Sequence, residues 1–149
     1  MGFQNEVKLD FGFGIEGNFA GISNCNILVC ESEYISEVWK ILVFTPEENQ
    51  WYSLKEEYLK FKQLLISKYS DGHNIDSFEY FSEPYSEGDG YEMTALSVEK
   101  CTYRTYIKLP EGTICVAISK LGKICFSYED SINAEKHEIA KNNVAYDQI

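Results

Sequence analysis

The stretch Thr113–Tyr128 reads TICVAISKLGKICFSY. Two short runs of β-branched, aromatic and small residues flank Lys120-Leu121-Gly122. This pattern predicts a β-hairpin with a three-residue loop and Gly122 in the left-handed position. That loop sets Ser119 opposite Lys123, Ile118 opposite Ile124, Val116 opposite Phe126 and Ile114 opposite Tyr128. The last three pairs place six apolar side chains on one face. A two-residue loop would set Ile118 against Cys125 and scatter them. Register follows the face to be buried, so the three-residue loop is expected. It leaves Cys115 and Cys125 together on the other face as diagonal neighbours. Diagonal separations of about 7–8 Å exceed the usual disulfide span of roughly 4.4–6.8 Å, so both are expected to be free thiols.

Working outward, Tyr103–Leu109 reads as a strand and Pro110-Glu111-Gly112 as the turn that joins it to the hairpin. The tail SINAEKHEIAKNN, after Asp130, reads as a weak helix. On the other side, Leu54, Tyr58, Phe61, Leu65 and Tyr69 recur at spacings of three and four. They form one apolar face of a helix over about residues 53–69, with Lys55, Glu56, Lys60 and Gln63 off it. Thr45-Pro46-Glu47-Glu48 and Ser53-Leu54-Lys55-Glu56 offer two starts, and Gly72 a left-handed stop. Between Asp71 and Asp89 the chain is turn-rich, with SFEYF as a short strand. YEMTALSVEK reads as a short helix or turn.

Further upstream, Asn24–Cys30 and Glu37–Phe44 read as strands joined by ESEYIS. The second, EVWKILVF, is nearly continuous in apolar residues, which predicts a central strand or one covered on both faces. Gly12–Gly17, GFGIEG, spells the G-x-G-x-x-G pattern of dinucleotide cradles. That cradle needs a helix directly after the last glycine. The residues that follow, NFAGISNCNILVC, are turn and strand formers, so a glycine-rich approach to a strand is expected and no nucleotide cofactor.

The expected fold class is therefore α+β: an antiparallel sheet with one principal helix on one face, built as two βββα-like halves in a single domain over residues 1–149. The chain is 44% apolar, enough for a core without metal or disulfide staples. Asp and Glu number 24 against 13 Lys and Arg, a net charge of −11. A phosphate backbone needs clustered cations, so nucleic acid is not an expected partner; a basic protein surface is. No apolar run is long enough for a transmembrane helix. MGFQNEVKLD lacks the apolar core of a signal peptide, which reads as cytoplasmic for the chain as written, and as exported if a leader precedes it. Five cysteines in an odd set, with no C-x-x-C, read as small buried residues.

Candidates for chemistry are few. His73 lies in a polar turn and His137 in a charged tail. Glu83, Glu87, Asp89 and Glu92 cluster around glycines, which leaves open a calcium loop, though not with EF-hand spacing. No hydrolase, zinc-protease or P-loop motif occurs. No catalytic, metal or cofactor residue is assigned. Tyrosines are plentiful, 11 in all, and suit interfaces as well as sheet packing.

Several stretches carry a resemblance. They are GNFAG (Gly17–Gly21), Val38 with Leu42, Trp51, Tyr58, Lys68-Tyr69, CTY (Cys101–Tyr103), GTI (Gly112–Ile114), YEDSIN (Tyr128–Asn133) and Asp147. In these the chain resembles a family of small, often exported, uncharacterised proteins of gut Bacteroidetes. Members usually carry a segment upstream of the position of Gly2-Phe3, which this chain lacks. The resemblance implies an α+β fold of the kind seen in β-lactamase-inhibitor-like proteins, with helices on one face of an antiparallel sheet and the other face free for a partner. It brings no catalytic residues.

Two functions are then in play: a non-catalytic, inhibitor-like binding module, or a small enzyme with a cryptic acid–base or thiol site. For the first, Tyr103 and Arg104 are the partner-binding candidates. They are adjacent on one strand and point to opposite faces, so only one belongs to the exposed surface.

Overall fold

In the computed structural model the hairpin has the expected register. Ile118 pairs with Ile124, Val116 with Phe126 and Ile114 with Tyr128. Gly122 has φ +75°, and Ser119 N–H donates to Lys123 O at 2.8 Å to close the loop. The structure describes residues 3–9, 12–19, 22–31, 38–69 and 74–147.

The strands are β1 (Phe3–Leu9), β2 (Gly12–Phe19), β3 (Ile22–Glu31), β4 (Val38–Phe44), β5 (Asn74–Phe81), β6 (Cys101–Lys108), β7 (Gly112–Ile118) and β8 (Ile124–Asp130). The helices are α1 (Trp51–Tyr69), α2 (Glu92–Ser97) and α3 (Ser131–Asp147). One antiparallel sheet runs β1-β2-β3-β4-β8-β7-β6-β5. Two four-stranded meanders thus meet at β4 and β8, each followed by a helix. Each half has four strands where a βββα-like pattern was expected: β1 and β2 are strands that the sequence does not announce, and β5 extends the short strand SFEYF back to Asn74.

The GFGIEG glycines lie within β2, paired to both β1 and β3. They form strand backbone rather than the loop before a strand, and the next element is β3 rather than a helix. ESEYIS, apart from Glu31, and His73 lie outside the described residues.

Strand β4 is central, as its apolar run implied, but it is not covered on both faces: Leu42 and Phe44 stay half-exposed. Neither proposed start caps α1, which begins at Trp51. Thr45 is instead a buried clip between sheet and linker. Its N–H donates to Ile124 O at 2.9 Å and its Oγ1 accepts from Ile124 N–H at 2.9 Å. Three residues on, Glu48 N–H donates to Gly122 O at 2.8 Å. These bonds use up the groups that would otherwise have capped the helix, and delay its first turn.

Helix α1 buries Trp51, Leu54, Tyr58 and Phe61, the stripe its spacing predicted. By sequence α1 closes the first half, but it packs on strands of the second. Phe61 meets Phe126 edge-on at 4.7 Å, Trp51 meets Tyr103 at 5.1 Å, and Tyr58 OH bonds Thr105 Oγ1 at 2.8 Å. Helix α3 reaches back the other way. Asn133 Nδ2 donates to Val38 O at 2.9 Å, and His137 stacks on Trp39 at 4.8 Å. Each half therefore lends its helix to the other. Helix α2 closes the end of the core with Ala95 and Leu96.

Candidate functional site

Alternation along β6 sorts its side chains cleanly. Cys101, Tyr103, Thr105 and Ile107 are buried under α1, whereas Thr102, Arg104, Tyr106 and Lys108 face away. Of the two partner-binding candidates, Arg104 is the exposed one and Tyr103 is a core residue, only 7% exposed.

Tyr103 is packed among Trp51, Tyr58 and Phe81, with ring centroids at 5.1, 5.7 and 6.0 Å. Its hydroxyl donates to Glu87 Oε2 at 2.9 Å, and burial pushes the phenol's pKa up. The same carboxylate is ion-paired with Lys55. Lys55 first, and then the Tyr103 hydroxyl and Trp51, hold Glu87 below the ordinary carboxylate range. This ties the acidic loop to α1 and β6.

Asp89 and Glu92 serve the loop itself. Asp89 accepts from the N–H groups of Ser86 at 3.0 Å and Tyr91 at 2.7 Å, and Glu92 from Gly88 N–H at 3.2 Å. The carboxylates point to separate partners rather than to one ion. Among the described residues no three His, Cys, Asp or Glu side chains gather as a metal would require.

The face away from α1 is of a different character. On β5, Phe78 and Tyr80 are 47% and 52% exposed. Phe78 meets Tyr106 edge-on at 6.1 Å, and Arg104 Nη1 donates to the Tyr106 hydroxyl at 3.3 Å. Beside this group the sheet forms a shallow depression of about 350 Å³ whose floor includes Phe44, Cys115, Ala117 and Cys125. From β4 to β5 in sheet order, Lys40, Arg104 and Lys108 stand on this face against Asp76 and Glu129. The net charge of −11 is therefore carried elsewhere on the chain. The tyrosine-rich stretch FEYFSEPY reads in the sequence as suited to an interface or to sheet packing, without marking Phe78 and Tyr80 as an exposed pair. The pair's signal is the alternation of Phe78 and Tyr80 with Ser77 and Glu79.

Burial disfavours the thiolate at Cys101, Cys115 and Cys125. Burial pushes Cys125 up to about 11. It raises Cys115 too, although Arg104 and Lys40 pull it back. Cys101 is pushed up to about 12, again by burial. Thiolate, not thiol, is the reactive form. Ala117 pairs with Cys125 and Ser127 with Cys115, so the two cysteines are diagonal, as expected, and none of the five cysteines is in a disulfide. Thiol titration of denatured, unreduced protein should count five, and native protein at pH 7 should label at least tenfold more slowly than a free thiol. A Cys115–Cys125 crosslinked peptide in a digest would contradict this register.

A second cavity, about 320 Å³, opens between the end of α1 and the sheet, with Ile41, Val43, Leu65, Ile114 and Phe126 in its wall. It is apolar, with Lys68 and two tyrosines at its border, and among the described residues no carboxylate or histidine lines it. No helix among the described residues is long and apolar enough to cross a membrane. Compared with protein-family models, curated protein sequences and solved structures, the chain matches none.

Proposed function

We propose that this protein is a non-catalytic binding module that takes a protein partner on the open face of its sheet. The observation that carries the reading is the exposed Phe78, Tyr80 and Arg104 with the half-buried Tyr106 among them, on the face opposite α1. Antiparallel sheets can leave one face uncovered. Aromatic and arginine side chains on such a face are the residue types that dominate binding energy. The resemblance read from the sequence implies a fold of the β-lactamase-inhibitor kind with one sheet face free for a partner, and the chain's net charge of −11, carried away from this face, would speed long-range encounter with a basic protein. Of the competing reading, a small enzyme with a cryptic acid–base or thiol site, the thiol form is disfavoured by burial, which raises the pKa values of Cys115 and Cys125.

The test substitutes the face without touching the core. Arg104→Glu and Tyr80→Ser should keep the melting temperature within a few degrees. Each should weaken capture of the partner, and then its measured affinity, at least tenfold, and the wild-type on-rate should fall with added salt. A partner that binds both variants as well as wild type would rule out this face. Turnover in a hydrolase screen, with no partner recovered, would replace the binding reading with the enzymatic one.

A further inference from the structure

The eight-stranded sheet has two edges, and they differ. An edge strand offers unpaired N–H and C=O groups, and proteins blunt such edges with bulges, lysines or prolines. The β1 edge has both a register shift between Gln4 and Val7 and a lysine, Lys8. The β5 edge has neither. NIDSFEYF contains no Lys, Arg or Pro, and all eight of its residues pair in unbroken register with β6. Asp76 to Tyr80 are exposed without interruption, so no described residue covers this part of the strand.

The outward groups can be assigned. Ser82 N–H donates to Lys100 O at 2.7 Å, so Ser82 turns its backbone toward β6. Tyr80, Phe78 and Asp76, each two residues apart, do the same in an antiparallel ladder. Ile75, Ser77, Glu79 and Phe81 therefore present their N–H and C=O groups to solvent along the free edge.

We infer that β5 is a strand-addition site, at which an extended segment of a partner protein, apolar at alternate positions and basic in charge, pairs with the free edge. This rests on the binding-module reading and specifies how the partner is held. Backbone hydrogen bonds supply affinity in strand addition, and alternate side chains supply specificity. On the open face an added strand lies beside Phe78 and Tyr80. On the helix side its neighbour is Glu79, already paired with Lys62 at 2.8 Å. Charge selects the occupant: Asp76 makes no ion pair among the described residues. A second copy of the chain would bring −11 against −11, whereas a basic segment is drawn in.

The test is amide hydrogen exchange, resolved residue by residue, on the full chain. The probe is a ten-residue peptide of alternating valine and threonine with a lysine at each end. The outward amides of Ser77 and Glu79 should exchange fast in the free protein and slow at least tenfold with the peptide. The same peptide ended in glutamates should bind at least tenfold more weakly. Ser77→Pro removes one outward donor and should abolish the protection, while Ser77→Thr should keep it. If Ser77→Pro does not fold, Glu79→Pro makes the same test. Outward amides that stay fast at saturating peptide would overturn the inference. So would equal binding of the glutamate peptide, or protection that grows with protein concentration alone, which would mark a second copy. Loss of partner binding in Arg104→Glu together with unprotected edge amides would leave the open face as the site and remove only the edge.

Discussion

Phe61→Ala should lower the unfolding free energy by about 3–5 kcal/mol, the usual cost of emptying a fully buried phenylalanine site. Phe61 is 3% exposed and meets Phe126 edge-on at 4.7 Å. Removing the ring leaves a void between α1 and β8. The sheet cannot close it, because β8 is held on one side by β4 and on the other by β7. The cavity therefore persists, and persistence sets the upper part of the range. Lys60, one residue earlier, is exposed on the other side of the helix. Lys60→Ala should cost under about 0.5 kcal/mol. Urea melts of the two variants compare them directly, and equal losses would mean that α1 packs with a different face.

The second large effect is expected at Gly112. A Cβ there would fall on the backbone carbonyl oxygen of Glu129 and within 2.9 Å of the Tyr128 ring and hydroxyl. The obstruction is strand backbone in the middle of the sheet, so it cannot swing aside as a flexible side chain would. Gly112→Ala should cost about 3 kcal/mol, the upper end of ordinary overpacking. Gly88 isolates the sterics from the backbone conformation. It has φ +91° but nothing within 4 Å of the added atom. Gly88→Ala should cost only the left-handed penalty of about 1–2 kcal/mol. A Gly112 variant as stable as the Gly88 variant would show that β7 and β8 are less closely apposed than described.

Hairpin register, the stripe on α1, the free thiols and the α+β class were legible in the sequence because each depends on short-range periodicity. Ile118 must face Ile124 whatever surrounds the hairpin, since any other loop length breaks the apolar face. Leu54, Tyr58 and Phe61 share a helix face for the same local reason. The start of α1 was not legible. Thr45 and Ser53 both resemble caps and neither serves as one: Thr45 bonds Ile124, 79 residues away, and the helix begins at Trp51. Strand β5 was legible only over SFEYF, and not from Asn74 to Asp76. An exposed edge strand buries little, so its residues carry weak hydrophobic alternation, and only pairing with β6 reveals its length.

For the candidate site the division lies between adjacent residues. By itself the sequence determined that Tyr103 and Arg104 point to opposite faces of one strand, because side chains on a strand alternate with a period of two. Only the tertiary structure decided which face α1 covers. Helix α1 crosses to the other half of the sheet, buries Tyr103 against Trp51 and Tyr58, and leaves Arg104 beside Phe78 and Tyr106 on the open side. Periodicity fixes relative orientation, but which side is buried depends on contacts between segments far apart in the chain, and no local pattern encodes those.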